Sequence, residues 1–143
     1  MLRRKHILLL LEWYDYRIHR GVAQVARENG WQLNCPKSFT HNEGILNNWQ
    51  GDGCIALLQC TQTLDYFRSH KIPLVDLGLG DHKLPITRVV TDNEAIGRLA
   101  AEHFRDHGYK EVFALTADGI KMYEERLQAF ITHMEADGGK VTV

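Results

Sequence analysis

The sequence predicts an α/β protein built as a parallel sheet flanked by helices. Short continuous apolar runs of strand length, Ile7 to Leu11, Cys54 to Leu58 and Val112 to Leu115, stand apart along the chain. Strands buried on both faces need such unbroken runs rather than an apolar–polar alternation. Between the runs lie segments whose apolar residues recur every three to four positions, as amphipathic helices require. Strand and helix signals in regular alternation are the signature of a parallel sheet with helical crossovers.

Each element follows from its own residues. Ile7 to Leu11 is the first strand, and Ile18, Val22, Val25 and Ala26 then fall at i, i+4, i+7 and i+8 to form one stripe, with Asn29-Gly30 as its stop. Trp31 to Asn34 is a second strand, and Ile45, Leu46 and Trp49 mark a short helix ending at Gly51-Asp-Gly53. Cys54 to Leu58 is the third strand, followed by a short helix from about Thr63 to Ser69. Pro73 introduces a fourth strand through Leu77, closed by Gly78-Leu-Gly80, and Arg88 to Val90 is a further extended run. Thr91-Asp-Asn-Glu94 has the spelling of a capping box, in which the Thr side chain and the Glu three residues on satisfy each other's free N–H groups. The helix it opens carries Ile96, Leu99, Ala100, His103 and Phe104 on one face and ends at Gly108. After Val112 to Leu115, a helix bearing Leu127, Phe130, Ile131 and Met134 runs to Gly138-Gly139. Val141-Thr-Val143 reads as the start of another strand, so the sequence reads as part of a longer α/β protein.

Composition bounds the function classes. The 143 residues carry 17 Lys and Arg against 18 Asp and Glu, a formal net charge of −1, which does not suit a domain that coats nucleic acid. A 44% hydrophobic and 24% charged chain buries a core rather than remaining disordered. The basic start, Arg3-Arg4-Lys5, precedes an apolar run shorter than the ~7 to 15 residues of a secretory signal core, and Glu12-Trp13-Tyr14 follow where small residues are needed. No stretch approaches the ~18 apolar residues of a membrane span. Cys35, Cys54 and Cys60 are odd in number and lack a C-x-x-C spacing, which fits reduced thiols and a cytoplasmic location.

In open α/β sheets ligands sit beyond the carboxyl ends of the strands, where loops converge and helix N-termini present free N–H groups. That rule selects Trp13, Tyr14, Asp15 and Tyr16; Gln59 and Cys60; Gly78 to Asp81; Asp92; and Thr116, Asp118 and the approach to Arg126. Aromatic rings beside carboxylates and an arginine suit a sugar or polyol, because ring faces cover C–H surface while charged groups fix hydroxyls. No G-x-G-x-x-G follows the first strand and no Walker-type loop occurs, so a dinucleotide or P-loop nucleotide site is not expected. Every candidate also has a plain structural reading. Asp15 and Asp92 are either helix caps or ligand contacts, Trp13 and Tyr14 either rim or core aromatics, and Arg126 either a solvated helix charge or a clamp. His103 and His107 stand four apart on a helix but lack a glutamate between them and a third ligand, so no metal is expected. Cys60 reads as a small buried thiol rather than a nucleophile.

The ordered motifs Val89-Val-Thr-Asp92, Gly97, Ala100-Ala-Glu-His103-Phe104, Gly108 and Arg126-Leu-Gln-Ala-Phe130 resemble the LacI/GalR regulatory core, which has the type I periplasmic-binding fold. Tyr14-Asp15, Gly21-Val22, Gly51-Asp-Gly53, Ile72-Pro73, Thr91-Asp-Asn93 and Glu125-Arg126 more closely resemble the effector domain of xylose operon regulators of the XylR type. The resemblance runs from about His6 to Phe130. It implies a first lobe over residues 1–108 and the start of a second over 109–143. It also implies a DNA-binding module of AraC type that is absent from this chain. The implied function is a sugar-responsive transcription factor, not an enzyme. D-xylose would be its effector, no cofactor would be needed, and ligand contacts would come from Trp13, Tyr14, Asp15, Asp92 and Arg126. It further implies an unpaired sheet edge, hence a homodimer or a domain-swapped oligomer. The competing class is an enzyme acting on a sugar or sugar phosphate on a doubly wound sheet, since fold alone does not select function.

Overall fold

The computed structural model describes residues 3–36, 49–57, 61–78 and 85–143. The elements are β1 (His6–Leu11), α1 (Tyr16–Glu28), β2 (Gln32–Asn34), β3 (Gly53–Leu57), α2 (Thr61–Ser69), β4 (Leu74–Asp76), β5 (Thr87–Arg88), α3 (Asn93–Asp106), β6 (Glu111–Phe113), α4 (Lys121–Glu135) and β7 (Lys140–Thr142). The expected helix at Ile45 and Leu46 lies outside the described residues, as do Gln59, Cys60 and the loop from 79 to 84. Among the described residues no helix is long and apolar enough to cross a membrane.

The chain divides into two compact units, Met1–Val89 and Val90–Val143. The division falls before α3, which packs against α4 within the second unit.

In the first unit five parallel strands run in the order β2-β1-β3-β4-β5. The β1–α1–β2 crossover moves one way along the sheet and β3–α2–β4 the other. With right-handed connections, α1 and α2 therefore cover opposite faces. The interior strand β1 is consequently buried on both sides, and Leu8, Leu9 and Leu10 are wholly inaccessible. This is why its sequence is apolar without alternation. Leu8 and Leu10 join Cys54, Ala56, Leu64, Phe67 and Leu74 in one cluster, with Trp49 and Ile72 packed at its margin. Burial pushes the Cys54 thiol far up, so it is an inert core group. Gly30 ends the turn after α1 at φ 66°, a left-handed geometry that glycine adopts without strain.

The second unit holds a parallel pair, β6-β7, joined by α4, with α3 beside α4. Its core is Ala101, Val112, Phe130 and Met134. The inward face of α3 is Asn93, Gly97 and Ala101, whereas Ile96 and Leu99 of the expected apolar stripe are exposed. The reason is the closeness of the helix crossing. A β-carbon at Gly97 would lie 2.5 Å from the Arg126 carbonyl oxygen and 2.6 Å from the Ala129 β-carbon, so only small residues fit the seam.

Candidate functional site

In the first unit the chain leaves β1 at Leu11 and turns through Glu12 to Asp15 before α1 begins. This loop stands at the carboxyl end of β1, the side on which open sheets bind ligands. Its anchor is the Glu12 N–H, which donates to the Leu57 carbonyl at 2.9 Å. Trp13 is half exposed and Tyr14 about two-thirds exposed, so both rings present free apolar faces. The Tyr14 hydroxyl lies 3.0 Å from Nδ1 of His19, and the two rings meet edge to face. Asp15 is the N-cap of α1. Its Oδ1 accepts from the Arg17 N–H at 2.8 Å and from Arg17 Nε at 3.1 Å, while its Oδ2 accepts from an Arg17 Nη at 2.6 Å. The guanidinium and backbone N–H of Arg17 lower the Asp15 pKa to about 2, so the carboxylate is ionised across the physiological range. Cap and charge thus coincide in one residue.

At the end of the same sheet a further polar group is built around Asp76, which sequence reasoning did not single out. Its carboxylate is fully buried; Oδ1 accepts from the Gly78 N–H and Oδ2 from Arg88 Nε, each at 2.9 Å. The Val89 N–H closes on the Asp76 carbonyl. A buried charge demands such partners. The sequence signal was an aspartate closing an otherwise apolar strand, Leu74-Val75-Asp76, with an arginine on the next strand.

In the second unit Asp92 is the N-cap of α3, with Oδ1 accepting from the Ala95 N–H at 2.9 Å. The expected capping box is therefore displaced by one residue. Helical geometry begins at Asn93, which makes Asp92, not Thr91, the cap, and Glu94 meets Nε2 of His133 at 2.9 Å instead. Thr91 and Asn93 serve Arg126. Its Nε donates to Asn93 Oδ1 at 2.9 Å and an Nη donates to the Thr91 hydroxyl at 3.0 Å. That hydroxyl donates onward to Asn93 Oδ1, also at 3.0 Å, and Asn93 Nδ2 donates to Glu125 Oε2 at 2.7 Å. Asn93 is buried, so these contacts satisfy an amide that has little access to water.

Arg126 is thus a half-buried guanidinium fixed at the start of α3, not a solvated helix charge. Asp92 and Arg126 share this locale without touching through a direct hydrogen bond among the described contacts. The sequence reading missed the positioning role of Thr91, Asn93 and Glu125. The available signal was a polar residue at 93 in register with the small residues 97 and 101 on the inward face. Beside Arg126 a concavity of about 410 Å³ is lined by Ile96, Gly97, Leu115, Thr116 and Tyr123. His107 lies with Nδ1 2.8 Å from the His103 carbonyl, a contact that closes the end of α3, and among the described residues no three metal-binding side chains are gathered.

No family model matches the chain, and no curated protein matches it. Solved structures do resemble it. A transcription-regulator-like protein from Staphylococcus haemolyticus superposes with a TM-score of 0.73 at 15% identity, over 96% of this chain and 60% of that one. A periplasmic solute-binding protein of an ABC transporter from Actinobacillus succinogenes, solved with bound D-allose, gives 0.80 at 16% identity over 99% and 57%. The transcription regulator CcpA of Lactococcus lactis gives 0.79 at 18% identity over 94% and 55%. The chain spans less than two thirds of the length of these structures. At such identities the likeness establishes the fold alone, and that fold is the helix-flanked parallel sheet of type I periplasmic-binding-protein-like domains.

Proposed function

We propose that this chain is the effector-sensing part of a transcriptional regulator and that its effector is a sugar, D-xylose first among the candidates. The observation that carries the reading is the held guanidinium of Arg126. Asn93 and Thr91 accept from it directly and Glu125 holds Asn93 in turn, which fixes its direction, as recognition of hydroxyl oxygens requires. Trp13, Tyr14 and Asp15, and separately Asp92, are further proposed contacts: exposed aromatic rings supply apolar faces, and carboxylate oxygens accept hydrogen bonds from hydroxyl groups. Support comes also from the structural neighbours, which include both transcription regulators and sugar-binding proteins.

In this reading the protein acts in the cytoplasm as a homodimer, and DNA is bound by an AraC-type module outside this chain. The sugar regulates only through a difference in its affinity for two arrangements of the protein, since equal affinity for both would shift nothing. Calorimetric titration with D-xylose, L-arabinose, D-ribose and D-glucose tests it. The expected result is saturable binding strongest for D-xylose and weakened roughly tenfold or more by Arg126→Ala. A folded protein that gives no saturable heat with any of the four overturns the proposal.

A further inference from the structure

We propose that His19 is a positioning residue: by accepting the proton of the Tyr14 hydroxyl it makes the loop before α1 a surface of hydrogen-bond acceptors, which selects a ligand that presents hydroxyl donors there. The inference rests on the D-xylose reading above and adds to that site a residue outside the contact set. Tyr14 stands directly before the Asp15 cap and His19 four residues after it, the two positions that pack together as a hydrophobic staple at helix starts. A staple needs apolar contact only. Here the rings meet edge to face with centroids 5.6 Å apart, and in addition the Tyr14 hydroxyl lies 3.0 Å from His19 Nδ1. The His19 N–H donates to the Asp15 carbonyl at 3.1 Å, so the imidazole projects from a fixed turn of the helix.

The chemistry of the two groups sets the direction of that bond. A neutral imidazole carries one donor and one acceptor nitrogen, and a phenol hydroxyl both donates and accepts. A phenol O–H is a strong donor whose oxygen is a weak acceptor, whereas an unprotonated ring nitrogen is a strong acceptor, so Nδ1 takes the Tyr14 proton. The Tyr14 oxygen then meets a ligand through its lone pairs alone. Asp15 has the same polarity: Arg17 holds both of its oxygens, and an ionised carboxylate has no proton to give. Two neighbouring residues of one loop therefore offer acceptors only, each oriented by a residue of α1. A sugar hydroxyl supplies the donor that both require. A fluorine or a carboxylate in the same place accepts where an acceptor already stands, and is rejected.

Calorimetric titration at about pH 8, where an imidazole is neutral, with D-xylose and its series of monodeoxyfluoro analogues is the test. The expected result is that at least one analogue binds roughly tenfold or more weakly than D-xylose, because fluorine does not donate. His19→Leu keeps an apolar staple and frees the Tyr14 proton, so the gap for that analogue should narrow severalfold. His19→Asn, whose Oδ1 stands close to the place of Nδ1, should restore it. In a Tyr14→Phe background His19→Leu should change nothing further, since the hydroxyl through which it acts is gone. Circular dichroism confirms the fold of each variant. Saturable D-xylose binding with no fluorine gap, or with gaps that His19→Leu leaves unchanged at every position, overturns this inference and leaves the sugar reading standing. A folded protein without saturable D-xylose binding overturns the inference together with the D-xylose assignment on which it rests.

Discussion

Asp15 is at once the cap of α1 and a carboxylate held ionised by Arg17, and the two roles make one prediction. Its folded pKa of about 2 lies below the ordinary carboxylate value near 3.9. The stabilisation is therefore fully present above pH ~4 and is lost as pH falls through about 2. Carboxyl NMR should report a midpoint near 2 for Asp15, and a midpoint near 4 would show that Arg17 does not hold it. Asn93 makes the second residue-scale prediction. Removing its amide in Asn93→Ala leaves Arg126 Nε and Glu125 without their partner, at a cost of about 1–3 kcal/mol in urea unfolding. If the proposed function holds, the same variant weakens sugar binding, because Arg126 is then no longer oriented. Unchanged stability would mean that water replaces the amide without loss. The capping role of Asp15 was among the readings its chain position offered, whereas the contacts of Arg126 and the place of Asn93 were not. Its neighbour Asp92 is an equally good capping residue, and only the start of helical geometry decides which side chain turns inward.

The element that most departs from its sequence pattern is α3. Periodicity selects the largest apolar side chains as the buried face, and here the buried face is the smallest one, at 93, 97 and 101. Transfer energy favours burying Ile96 and Leu99, whereas the close approach of α4 admits no β-carbon at Gly97. The contacts a β-carbon would meet include the Arg126 carbonyl and the Phe130 nitrogen, backbone atoms that move only with α4 itself. Gly97→Ala should therefore destabilise by about 1–3 kcal/mol in denaturant unfolding, although alanine is the better helix former. A stabilising substitution would show that the crossing is looser than drawn. The other helices were legible, since α1 runs from its Asp15 cap to the Asn29-Gly30 stop that the spacing marks.

Among the described residues, the cores of the two units are each built by covering a parallel sheet. Phe67 is wholly buried between α2 and the first sheet, so Phe67→Ala should cost about 3–5 kcal/mol, measured by thermal or urea unfolding of the first unit's fluorescence signal. A cost below 1 kcal/mol would mean that the cluster collapses into the cavity.

The sequence by itself determined the fold class, the strand and helix order and the loops at the carboxyl ends of the strands. These depend on local spacing: unbroken apolar runs, a 3.6-residue period, and caps and stops within a few residues. Tertiary structure alone decided the boundary at Val89–Val90, the small-residue face of α3, the clasp around Arg126 and the buried pairing of Asp76 with Arg88. Each of these joins residues from different elements. Their energies depend on how closely two backbones approach and which polar groups lose water together, and neither quantity is written in the spacing of one segment.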